Sequence, residues 1–118
     1  NLSGKKDNYI PKLNFKNDKN KEALSRIIKF IKLSNIELCL ISTPWHQDYF
    51  KYRADIKKYE PIRKHYKNLS INSNISYFDF TEIDYPDNFH SDISHLSFEG
   101  ANAFTNLVSR KCFKNIDN

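Results

Sequence analysis

The order of two patterns constrains this chain most: a helical stripe runs directly into a short apolar segment that ends at a proline. In "NKEALSRIIKFIKLSN", Leu24, Ile27, Ile28 and Ile31 recur at i, i+3, i+4 and i+7, which predicts a helix with Asn20 as its N-cap. "IELCLIST" follows with no spacer and stops at Pro44. Its continuous apolar run fits a strand buried on both faces of a parallel sheet. A second round follows. Residues 54–69 are weakly helical, with Pro61 either kinking the helix or splitting it. "NISYFDF" predicts a second strand, and "SFEGANAFTNLVSRKCF" a last helix with Ser97 as its N-cap. Helix, strand, helix, strand, helix is the rhythm of α/β crossover units.

A chain of 118 residues is one domain or part of one. It begins at Asn1 and has no methionine, as expected of an excised or processed piece. The organisation expected is a polar lead-in loop over 1–19, the α/β domain over 20–114 and a tail over 115–118. The net charge of +5 comes from scattered lysines, paired only at places such as Lys5-Lys6 and Lys57-Lys58. That reads as a lysine-rich surface, not as the clustered basic stripe of a nucleic-acid-binding domain, so no nucleic-acid partner is expected. The two cysteines are too few for a disulfide framework, and Cys39, inside an apolar run, is expected to be a buried, inert thiol. No apolar run approaches the roughly 18 residues of a membrane span.

In open α/β sheets, ligands bind beyond the carboxyl ends of the strands. The loop "TPWHQDYFKY" and the segment after "NISYFDF" both leave at that edge, so Pro44, Trp45, His46, Asp92 and His95 are expected to gather on one rim. In "FHSDISHLSFEGANAF", Asp92 and His95 stand three apart just before the last helix. A carboxylate bonded to one imidazole nitrogen fixes the tautomer and leaves the other nitrogen as a general base. The structural alternative is a surface turn in which Asp92 caps a local amide and His95 is incidental. His90, Asp92 and His95 lack a further ligand at zinc spacing, so neither a metal nor a cofactor is expected. His46 is either a pocket residue or a solvated loop histidine, and Trp45 a pocket wall or a lid on the core. Asp79, at a strand end, is expected to bond loop amides. Gly100 is one of only two glycines in the chain, and its place inside a helix, with Ala101 beside it, points to a close approach of the helix start to the sheet or to a loop carrying a nucleophile.

Together these residues resemble the SGNH (GDSL-type) hydrolase and acyltransferase superfamily. "YFDF", a loop, and Asp92-x-x-His95-Leu96-x-x-x-Gly100-Ala101 with Phe104 are similar to the C-terminal segment that supplies the aspartate and histidine of a Ser-His-Asp triad. "LISTPWHQDY" adds to the likeness, which spans residues 36–110 and is greatest to the cell-envelope branch of alginate O-acetylation and teichoic-acid D-alanylation proteins. The resemblance implies a three-layer, flavodoxin-like α/β fold of which this chain is the C-terminal half. It also implies acyl-ester hydrolysis or O-acyl transfer on an ester or glycan substrate, with His95 as base, Asp92 orienting it, and Pro44, Trp45 and His46 at the substrate. The implied location is the cell envelope. No Gly-Asp-Ser segment and no Gly-x-Asn-Asp segment is present, and Ser3 in "NLSGKK" follows no strand. The implied partner is therefore the N-terminal part of the same domain, carrying the serine, or a second copy. A non-catalytic interaction module on the same fold is the alternative.

Overall fold

A computed structural model describes residues 18–52 and 59–113. Most of the lead-in, the segment 53–58 and the tail lie outside the described residues. The elements are α1 (Asp18–Leu33), β1 (Cys39–Ser42), α2 (Gln47–Tyr52), α3 (Glu60–Ser73), β2 (Ser76–Asp79), a 3-10 helix (Asp87–Phe89) and α4 (Phe98–Cys112). Helix α1 begins before Asn20, which therefore lies in its first turn and is not the cap. Pro61 occupies the start of α3, where its missing N–H has no partner to lose, and the part of the expected helix over 54–58 lies outside the described residues.

The direct passage from helix to strand has a local cause. Asn35 and Asn74 both adopt left-handed backbone, with φ of 56° and 53°. After α1, Asn35 N–H donates to the Lys32 carbonyl and Ile36 N–H to that of Ile31; after α3, Asn74 N–H and Ile75 N–H do the same to Ile71 and Ser70. These paired bonds are a Schellman stop, with asparagine where glycine is usual. Because left-handed backbone costs other L-residues about 1–2 kcal/mol, Asn74→Ala is expected to lower stability by about 1 kcal/mol and Asn74→Gly to leave it nearly unchanged, both read by urea unfolding.

Strands β1 and β2 pair as a two-stranded parallel sheet, so the chain is a mixed α/β structure. Both strands are shorter than the apolar runs that predict them. The double burial expected of β1 is not found: none of its four residues is buried, and Ile41 is 38% exposed. Two strands expose an edge each and have too little area to enclose one another. On α1, Ile28 is buried but Ile27 is 53% exposed, so the packed face is narrower than the predicted stripe. Cys39 is not an inert thiol. Cys39 and Cys112 are both disulfide-bonded. No helix among the described residues is long and apolar enough to cross a membrane.

Two compact units divide the chain. One comprises the described residues of Pro11–Ile41 and Asp55–Phe78, with α1, α3 and most of the sheet. The other comprises the described residues of Ser42–Ala54 and Asp79–Asn118, and it holds every predicted site residue. Its core is Tyr49, Phe80, Ile93 and Phe104, with the Phe80 and Phe104 rings edge to face at 5.5 Å. Three backbone bonds order its loops: Phe80 N–H to Ser42 O at 3.1 Å, Trp45 N–H to Thr81 O at 3.1 Å, and His46 N–H to Ile93 O at 3.0 Å. The loops leaving both strands thus stay joined beyond the strand ends, and the segment bearing Asp92 and His95 is hydrogen-bonded to the first of them.

Candidate functional site

The Asp92 carboxylate organises its own loop. Its Oδ1 accepts the backbone N–H of Ser94 at 2.9 Å and of His95 at 2.8 Å, the side-chain turn that a short carboxylate makes with amides two and three residues on. That turn brings the His95 ring back over the carboxylate, where Nδ1 lies 2.9 Å from Oδ1 and 2.8 Å from Oδ2. The amide-capping role and the imidazole-orienting role, posed as alternatives by the sequence, are filled by the same side chain. With its proton on Nδ1, the ring carries its lone pair on Nε2. The His95 side chain is 67% exposed. The Ser94 hydroxyl is 3.2 Å from Nδ1, but that nitrogen is engaged with the carboxylate, so Ser94 is not on the side of the ring that would activate it.

The helix that follows fixes this loop in place. Ser97 caps α4, its Oγ accepting from Gly100 N–H at 3.2 Å and donating to the Asn88 carbonyl at 2.7 Å. Ser97 N–H donates to the Phe89 carbonyl at 2.9 Å. A Cβ on Gly100 would lie 1.9 Å from that same carbonyl oxygen. The close approach that Gly100 permits is therefore to the backbone at the end of the 3-10 helix, not to the sheet.

His46 is buried and both ring nitrogens are engaged. Asp48 N–H donates to Nδ1 at 3.0 Å, so the ring proton is on Nε2, which is 2.7 Å from Asp87 Oδ1. Asp87 is pulled below the usual aspartate value, chiefly by the hydrogen bond that it accepts from His46. The sign follows from the lowered value: the contact persists through the range where an ordinary aspartate titrates and is lost only as pH falls through the lower one. His46, Asp87, Asp48, Asp84, Gln47 and Lys51 are among the residues lining a cavity of about 500 Å³. Gln47 Nε2 donates to Asp84 Oδ1 at 2.5 Å, and Lys51 Nζ to Asp48 Oδ1 at 3.3 Å.

The other expected site residues are placed differently. Pro44 is fully buried, so it shapes the turn after β1 and does not face a ligand. Trp45 stacks at 4.2 Å on Tyr49 and meets Phe50 at 5.9 Å, the contacts of a core lid. Asp79 Oδ1 accepts the Thr81 amide at 3.0 Å and its hydroxyl at 2.7 Å, a loop-holding role. Among the described residues no group of three or more His, Cys, Asp or Glu side chains is arranged to hold a metal ion. Sequence reasoning missed Asp87 altogether, because its partner is 41 residues away and no spacing signals the pair.

The model of one uncharacterised protein family matches residues 2–117. No curated protein and no solved structure matches the chain.

Proposed function

We propose that this chain, a member of that uncharacterised family, supplies the base and its orienting acid to a serine-dependent acyl-ester hydrolase or O-acyltransferase of the SGNH type. The observation that carries the reading is the Asp92–His95 pair: a carboxylate within 2.9 Å of Nδ1 on an exposed imidazole, the tautomer a general base requires. His95 Nε2 would take the proton from a serine hydroxyl and return it to the leaving oxygen. Asp92 would stabilise the imidazolium formed between those steps. The serine would come from a polypeptide with the N-terminal part of a three-layer domain, or from a second copy. The cavity beside His46 presents three carboxylates and one lysine, which favours a neutral, hydroxylated acyl acceptor over a polyanion. The disulfide-bonded cysteines support an oxidising compartment, in keeping with the cell envelope.

The test is acyl-ester turnover. Alone, the chain is expected to hydrolyse p-nitrophenyl acetate no faster than free imidazole at equal concentration. Mixed with a polypeptide that carries the Gly-Asp-Ser segment, it is expected to gain turnover that a serine-directed phosphonate abolishes. Turnover of the chain alone that the phosphonate blocks would contradict the need for a partner serine. Turnover of the mixture that survives His95→Ala would remove His95 from the reaction.

A further inference from the structure

His90 is a buried titratable group that acyl transfer does not use. The residue is only 5% exposed, and neither ring nitrogen has a hydrogen-bond partner. It stands at the neck of the loop that carries Asp92 and His95. Residue 90 pairs with Leu96 in an antiparallel bridge, Ser91 N–H donates to the His95 carbonyl at 3.0 Å, and Ser97 N–H to that of Phe89 at 2.9 Å. The His90 ring meets the His46 ring edge to face at 5.0 Å, and the His46 amide holds the same loop through Ile93.

We propose that His90 is an acid-sensitive latch on this loop: as a neutral ring it packs under the neck and keeps the loop closed, and on protonation it leaves that position and frees the segment bearing Asp92 and His95. A neutral imidazole can be buried with idle nitrogens because its ring still packs, whereas an imidazolium there has two N–H donors and no acceptor. The titratable groups facing it are His46, Asp87 and Asp92. Burial pulls its pKa below the ordinary histidine value and His46 adds to that; the two carboxylates pull upward and are outweighed. A histidine with a lowered pKa in the closed form loses stability as pH falls below about 6.5, the value in the open form, and the loss stops at the closed-form pKa. Between those limits the open-to-closed ratio rises by up to about tenfold per pH unit. The consequence for catalysis, a base withdrawn in acid, rests on the proposed function; the latch itself does not.

The experiment follows loop opening, not turnover. Amide hydrogen exchange of Ser91 and Ser97 is measured on the full chain from pH 7.5 to 5, corrected for intrinsic rates, with α3 amides as the control for global unfolding. Ring resonances of the four histidines are titrated in parallel. The expected result is a steepening loss of protection at Ser91 and Ser97 that tracks the His90 titration, while α3 stays protected. His90→Phe, which keeps a ring against His46, and His90→Leu are each expected to give pH-independent protection. Wild-type protection unchanged through the His90 titration would overturn the latch. So would loss at α3 in step with the loop, or the same acid-induced loss in either variant.

Discussion

Gly100→Ala is expected to destabilise the protein by at least about 2 kcal/mol, although alanine is the better helix former. The added Cβ would meet the Phe89 carbonyl oxygen at 1.9 Å and the carbonyl carbon at 2.8 Å. Both are backbone atoms, so no side-chain rotation relieves the clash. A 1.9 Å approach to backbone belongs at or beyond the top of the 1–3 kcal/mol typical of overpacking, which leaves about 2 kcal/mol or more after the helix-propensity gain of about 1 kcal/mol, because α4 must shift off the backbone that Ser97 also binds. In thermal unfolding the loss corresponds to a midpoint lower by roughly 10 °C. A midpoint equal to or above wild type would mean that the α4 start and the Phe89 carbonyl are not in contact. The variant also bears on the site, because the same displacement moves the loop between them.

On the proposed function, Asp92→Asn is expected to lower acyl turnover of the chain together with its serine-bearing partner by about 10³–10⁴-fold while leaving the loop largely intact. An asparagine carbonyl still accepts the Ser94 and His95 amides, so the turn survives. The amide group, however, cannot stabilise an imidazolium, and it also permits the wrong His95 tautomer. His95→Ala is expected to match this loss. Asp92→Ala should add a structural cost of about 1–3 kcal/mol by stripping two amides of their acceptor. Comparing kcat with unfolding midpoints across the three variants separates the two roles of one carboxylate. If Asp92→Asn loses stability but keeps turnover, Asp92 is a turn residue and the base assignment of His95 falls with it.

The legible parts of this site lie close together in sequence. Asp92 and His95 share one turn, so a carboxylate three residues ahead of an imidazole reaches both its amide and its ring with little help from elsewhere. Ser97 reads as a cap for the same reason: its hydroxyl and the Gly100 amide are set by the first turn of α4. The glycine itself announced a close approach, and only the partner was misread. His46 was ambiguous because its two partners, Asp48 and Asp87, differ in kind. One is an adjacent amide; the other is brought by a segment far along the chain. Pro44 was misplaced because a rim position in sequence does not say which side chains turn inward.

The amino-acid sequence by itself determined α1, α3, α4 and the two strands, the order in which these alternate, the serine cap and the Asp-x-x-His turn, but not α2, which lies in a segment that reads as a loop. All of these rest on interactions within a few residues, where backbone geometry leaves few choices. Tertiary structure alone decided that Asp87 holds His46, that Gly100 meets Phe89 and that the His90 ring packs against His46 with idle nitrogens. Each of these joins segments whose separation carries no period, so their meeting depends on how whole loops pack and not on any local preference of the residues that touch.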